Sequence, residues 1–254
     1  MCLINLAWQQ HKHFRLIMVA NRDEFYDRPA ARAGWWEDHP NVLAGRDLKA
    51  GGTWMGANRQ GYFAAVTNFR EAKRTLEQEH SRGELVGRYL TEAPPPGSYL
   101  LEIEQKSAFY QGMNFLAGNA EELWYYSNRG GAPCKLESGI YGLSNHLLDT
   151  SWAKVVRSKV AFTRLIRDTA FPDPALLMDV LTSTEGVPDE QLPNTGIPIE
   201  LERLLGPMFI RLHHYGTRVT TVLMMDYDNN LIFAERSYEP KGEMLVYSFA
   251  TEMS

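Results

Sequence analysis

The sequence predicts an α+β fold of two stacked antiparallel sheets with helices on their outer faces. Three observations lead there. Strand-like runs open the chain, recur in its middle and close it, with helix-like runs between these groups. Turn signals of a few residues join neighbouring runs, as antiparallel hairpins require. The alternating strand and helix units of a parallel sheet are missing, which argues against Rossmann and barrel layouts.

Residues 3–8 and 14–20 are apolar runs joined by Gln9–His13, and they read as a buried hairpin. Residues 27–52 carry Pro29, Pro40, Gly45, Gly51 and Gly52 and read as an extended loop. Trp54–Ala57 and Tyr62–Val66 flank Asn58-Arg59-Gln60-Gly61, a second hairpin. Ser81 and Glu84 have capping-box spacing, and Leu85, Val86, Tyr89 and Leu90 follow at helical spacing until Pro94-Pro95-Pro96. A short helix is expected over 98–106. Strand-like runs return at 114–117, 123–127 and 141–143. Asp149, Thr150 and Ser151 are candidate caps for a helix with Trp152, Val155, Val156, Phe162 and Ile166 inward. Asp173-Pro174 opens another helix. Residues 186–198 read as a long loop, and strands are expected at 218–225, 231–236 and 244–249. No linker or repeat divides the chain, so one domain over 1–254 is expected.

The composition is globular: 254 residues, 44% hydrophobic and 22% charged. Lys plus Arg is 26 against 31 for Asp plus Glu, and the cations are scattered, which excludes a nucleic-acid patch. No apolar run reaches the ~20 residues of a membrane span. The first residues lack a basic leader, so a cytoplasmic protein is expected. Cys2 and Cys134 supply neither a disulfide framework nor metal-ligand spacing.

Cys2 is the candidate nucleophile. Removal of Met1 would give one residue both a thiol and an α-amine, nucleophile and base together. The same residue also reads as a small buried side chain opening a strand. Asn21-Arg22-Asp23-Glu24 closes the second apolar run. Asp23 is placed to orient the Cys2 amine or thiol, and Arg22 to lower the thiol pKa or hold a substrate carboxylate. Asn68 and Asn145 follow strand-like runs. Each offers a neutral amide donor for an oxyanion, or an ordinary turn bond. Arg218 opens a late strand as a pocket cation or a surface arginine. Asn21, Arg22 and Trp54 are expected to bind substrate, with Trp35 and Trp36 beside Trp54 on an apolar acyl pocket.

The stretch Ala20-Asn21-Arg22-Asp23-Glu24-Phe25 resembles the signature of the NRDE, or transport and Golgi organisation 2, family. Gly51–Gly56, Ala65–Asn68, Arg82–Leu85, Tyr141–Asn145, Tyr215–Arg218 and Glu235–Ser237 extend the likeness over nearly the whole chain. That family is similar in turn to the cysteine N-terminal nucleophile hydrolases, such as penicillin V acylases and bile salt hydrolases. The resemblance implies a four-layer αββα sandwich. It also implies Cys2 as nucleophile, Asp23 beside it, Asn68 and Asn145 as oxyanion groups, and Arg218 in the pocket. One position departs from the pattern. The acylases carry an arginine three residues before the aspartate, where this chain has Ala20. Arg22 points the opposite way from Asp23 on an alternating strand and is not expected to replace it.

Two functions follow. One is hydrolysis of a linear N-acyl amide by Cys2, with no cofactor and a small apolar or acylated substrate. The other, implied by the resemblance, is a non-enzymatic carrier of haem or of a lipid or acyl group. Cys2, His146, His213 and His214 would be the residues able to ligate or flank haem.

Overall fold

The computed structural model describes residues 2–72 and 80–252. The N-terminal hairpin forms as expected from β1 (Cys2–Trp8) and β2 (Phe14–Phe25), with Cys2 opposite Arg22 and Trp8 opposite Leu16. β2 runs five residues beyond the expected end. Its polar end stays in register because it is paired on both sides, by β1 and by a late strand that matches Phe25 with Tyr215.

Thirteen strands among the described residues make two sheets, with every neighbouring pair antiparallel. The second sheet runs in chain order: β3 (Ala30–Trp35), β4 (Val42–Asp47), β5 (Met55–Asn58), β6 (Phe63–Asn68), β7 (Met113–Gly118), β8 (Leu123–Ser127) and β9 (Cys134–Lys135). The first sheet joins the two ends of the chain. Beside β1 lies β10 (Gly139–Leu143). Beside β2 lies β11 (Tyr215–Asp226), followed by β12 (Asn230–Ser237) and β13 (Leu245–Ala250).

Leu6, Met18, Phe63, Leu116, Leu223 and Phe233 fill the space between the sheets. Two helices, α1 (Arg82–Glu92) and α2 (Pro96–Gln105), cover the second sheet, where Leu85, Tyr89 and Leu100 pack on Val42, Ala64 and Phe115. On the first sheet, α3 (Ala153–Asp168) and α4 (Pro174–Asp179) set Phe162, Ile166 and Leu177 against Ile17, Val19 and Val222. The four layers are those the sequence led us to expect. Coverage on both faces explains why β1 and the first half of β2 read as continuous apolar runs rather than alternating ones.

Several local expectations change. Residues 27–52 hold β3 and β4 rather than an extended loop, because Pro29 and Pro40 precede the strands and leave their ladders intact. Ser81 caps α1 by accepting from Gly83 N at 3.3 Å, but Glu84 does not complete a capping box and instead accepts from the Tyr110 hydroxyl at 2.7 Å. Trp152, not Asp149, Thr150 or Ser151, stands at the N-cap of α3, and its side chain makes no capping bond. Asp149 instead accepts from Gly142 N at 2.8 Å. Val156 points to solvent. A further helix, α5 (Ile199–Leu204), follows the 186–198 segment. Asn58 makes the expected turn, its Oδ1 accepting from Gln60 N and Tyr62 N while Gly61 takes φ +83°. Among the described residues no helix is long and apolar enough to cross a membrane.

Candidate active site

β1, β2 and β6 bring three chemistry-bearing residues to one cavity of about 350 Å³, lined by Cys2, Asp23 and Asn68 together with Arg22, Trp54 and Arg82. The register sets the first contact. Cys2 and Arg22 are direct partners across the hairpin, and opposite residues of an antiparallel pair project to the same face. Ala20 and Ile4, two residues along, share that face and lie in the core between the sheets. Arg22 does point away from Asp23, yet it points towards the thiol. The expectation that it could not supply the cation missing at Ala20 is corrected by this register.

Burial pushes the Cys2 thiol up, and the Asp23 carboxylate adds to the rise. The Arg22 guanidinium and a hydrogen bond from the Asp23 backbone N–H act the other way. Arg22 is 6% exposed, and burial lowers its own pKa. It lies 4.1 Å over the Trp54 ring and 3.9 Å from Asp47. Asp47 also takes Arg28 Nε at 2.6 Å. Gly45 makes room for the Trp54 ring, which any Cβ there would overlap.

Asp23 is 2% exposed, and burial raises its carboxyl pKa. The charge of the chain's N-terminus opposes that rise first, then the Lys154 charge, the Thr217 hydroxyl, which donates to Asp23 Oδ1 at 2.6 Å, and the Arg70 charge. Lys154 is itself buried, donates to Leu205 O at 3.1 Å, and has its pKa brought down to about 8, by burial first and by Arg70 second. Arg70 pairs with buried Glu202 and lies 4.8 Å from the Trp152 ring centroid. A buried carboxyl beside a buried lysine and a thiol is the setting in which proton-handling groups are found.

The remaining expected residues sort by position. Asn68 lines the cavity, and its amide has no protein partner among the described residues. Asn145 lies behind it, fully buried, with Nδ2 donating to Asn68 O at 2.9 Å and Oδ1 accepting from Ser144 Oγ at 3.3 Å. It fixes the strand end that carries Asn68. Arg218 is turned aside by a bulge in β11 between Thr217 and Val219, and it donates to the carbonyls of Phe25, Arg28 and Glu239. Asn21 faces the helices, donating to Leu181 O and Met208 O and accepting from Thr220. Trp35 packs on the core with Phe249, and Trp36 donates to Ala44 O at 3.2 Å. Neither lines the cavity, whose walls are mainly charged and polar rather than apolar as expected.

The donor set does not fit a haem. His146 sits against Phe69 and Trp152, and His213 meets His214 edge-on with centroids 4.0 Å apart. None of the three lines the Cys2 cavity, whose histidine is His80. A thiol held neutral by burial is also a poor axial ligand.

Sequence reasoning missed Thr217, Lys154, Arg70 and Glu202. A signal existed for Lys154, because Lys154, Ser158, Phe162 and Ile166 recur every fourth residue on the buried stripe of α3. Thr217 stood within the Tyr215–Arg218 stretch, one position from the arginine that drew attention.

The sequence pattern described as Transport and Golgi organisation 2 matches residues 1–240. The chain belongs to that family. The human Transport and Golgi organization protein 2 homolog is 37% identical over 263 residues, covering 94% of each chain. The Drosophila melanogaster protein of that name is 27% identical, covering 91% of this chain and 89% of its own. Among solved structures, a Caenorhabditis elegans N-acylethanolamine-hydrolyzing acid amidase ortholog superposes with a TM-score of 0.50. The match spans 87% of this chain and 92% of that one at 12% identity. At that identity the likeness concerns the fold, and this family member has an N-terminal nucleophile hydrolase-like fold.

Proposed function

We propose that this chain is a cysteine N-terminal nucleophile hydrolase that cleaves a linear N-acyl amide. The observation that carries the reading is the meeting of Cys2, Arg22, Asp23 and Asn68 at one cavity of that fold. With Met1 removed, the Cys2 α-amine takes the thiol proton as sulfur bonds to the amide carbonyl carbon. The Asn68 amide donates to the oxyanion. The carbon–nitrogen bond then breaks, the leaving nitrogen takes the proton from the α-amine, and a thioester remains. Water hydrolyses that thioester to a carboxylic acid and restores the thiol. Asp23, held by Thr217 and flanked by the Lys154 charge, orients the amine. Arg22 steadies the developing thiolate.

A second reading keeps the cavity and drops the turnover. A thiol pushed up by burial rests protonated, which suits a carrier of an acylated ligand. Short- and long-chain N-acyl amides assayed with wild type, Cys2→Ser and Cys2→Ala separate the two. Hydrolysis predicts loss of kcat in both variants with ligand binding retained. Equal turnover in wild type and Cys2→Ala ends the nucleophile reading. Intact-mass measurement showing retained Met1 ends the amine mechanism.

A further inference from the structure

A second cavity, of about 540 Å³, opens where β11 and β12 leave the first sheet. Its walls are aromatic and its rim is cationic. Phe209 and Tyr238 meet edge to face with centroids 4.7 Å apart, and the Arg211 guanidinium lies 5.1 Å over the Phe209 ring. Tyr26 and Met244 add apolar surface, and Lys241 adds a second exposed cation. Arg236 also lines the cavity, but Asp179 takes its charge at 2.6 Å. Arg211 and Lys241 have no carboxylate partner among the described residues, and Glu239 is the acidic residue in the lining. Ser237, 4% exposed, lines the cavity too, and its hydroxyl has no hydrogen-bond partner among the described residues. A protein seldom leaves a buried hydroxyl unmatched without a ligand or water to satisfy it.

Thr217 lines this cavity, and its hydroxyl donates to Asp23, which lines the Cys2 cavity. The Thr217–Asp23 hydrogen bond therefore links the two cavities. This volume suits a small molecule. Three aromatic side chains in the lining, with two exposed cations that no carboxylate pairs among the described residues, suit one with a planar apolar body and a negative group. A neutral lipid chain would leave both cations unanswered, and a bare inorganic anion would leave the aromatic walls unused.

We infer that this cavity is a second binding site, distinct from the Cys2 cavity, for a small planar aromatic carboxylate.

Naphthalene-2-carboxylate titrated into the 254-residue chain, followed by saturation-transfer and shift-perturbation NMR, tests it. Wild type and Cys2→Ala should bind the probe with the same affinity. Arg211→Ala combined with Lys241→Ala, both at exposed positions, should bind at least tenfold more weakly. The neutral naphthalene-2-carboxamide should show the same loss against wild type. Met244→Trp, also at an exposed position, should block the cavity and abolish binding. Failure of wild type to bind at millimolar probe overturns the inference. So does unchanged affinity in the Arg211/Lys241 double variant, unchanged affinity in Met244→Trp, or loss of binding in Cys2→Ala.

Discussion

Cys2 and Arg22 face each other across the β1–β2 ladder, on the same side of the sheet and in direct register. The arginine position of the acylases is filled by Ala20, two residues further along that same face. The cation on the thiol's face is Arg22, the strand-paired neighbour, which is held by the Trp54 ring and the Asp47 carboxylate.

Replacing Arg22 with Gln removes a positive charge that favours the thiolate against burial, so the Cys2 pKa should rise further. One pKa unit is a tenfold change in thiolate fraction. Iodoacetamide alkylation of Cys2 at pH 7.5 should slow about three- to tenfold, since this pair is only one of several contributions. The midpoint of the rate against pH should move upward. An unchanged midpoint would show that Arg22 serves Asp47 and Trp54 alone.

Thr217→Val keeps the shape of the side chain and removes the hydroxyl that donates to Asp23 Oδ1. It also deprives Ile210 N of its acceptor at 3.0 Å. Hydrogen bonds to charged groups contribute about 1.5–3 kcal/mol, and the variant should lose that much in urea unfolding. A loss below about 0.5 kcal/mol would mean that Asp23 is protonated at neutral pH or re-partnered.

Lys154 fixes the sign of a pH dependence. Its pKa falls from the ordinary 10.5 to about 8 in the fold. Between those values the unfolded chain binds more protons than the folded one, so this group makes stability rise with pH. Its penalty is fully present below about 8 and gone above 10.5. The unfolding free energy of wild type relative to Lys154→Met should therefore climb by about 2 kcal/mol from pH 8 to pH 10. A flat difference would place the lysine's folded pKa near its unfolded one.

Gly45 and Gly52 should rank in severity. A Cβ at Gly45 would overlap the half-buried Trp54 ring, which can shift, whereas one at Gly52 would overlap the Gly83 backbone in the first turn of α1. Gly45→Ala should cost about 1–3 kcal/mol, with a red shift of tryptophan emission. Gly52→Ala should cost more, because a helix must move instead of a ring. The reverse order in thermal melts would show that α1 yields more readily than Trp54.

The sequence by itself determined the layers and the residues that gather around Cys2. Runs buried on two faces, such as Leu3–Trp8, and turn residues such as Asn58 and Gly61 carry their structure locally, through hydrophobic continuity and backbone preference. Cys2, Asp23 and Asn68 were legible because motif residues at strand ends converge once the sheets stack. What tertiary structure decided is which side chains face which way. Register placed Arg22 against the thiol, a bulge turned Arg218 onto backbone carbonyls, and β11 pairing carried Thr217 to Asp23 across 194 residues of chain. Lys154 lay on a readable helical stripe, but its pKa depends on burial and on Arg70 and Asp23 from distant strands and loops. Pairing partners and desolvation belong to contacts between remote segments, and no local pattern of residues encodes them.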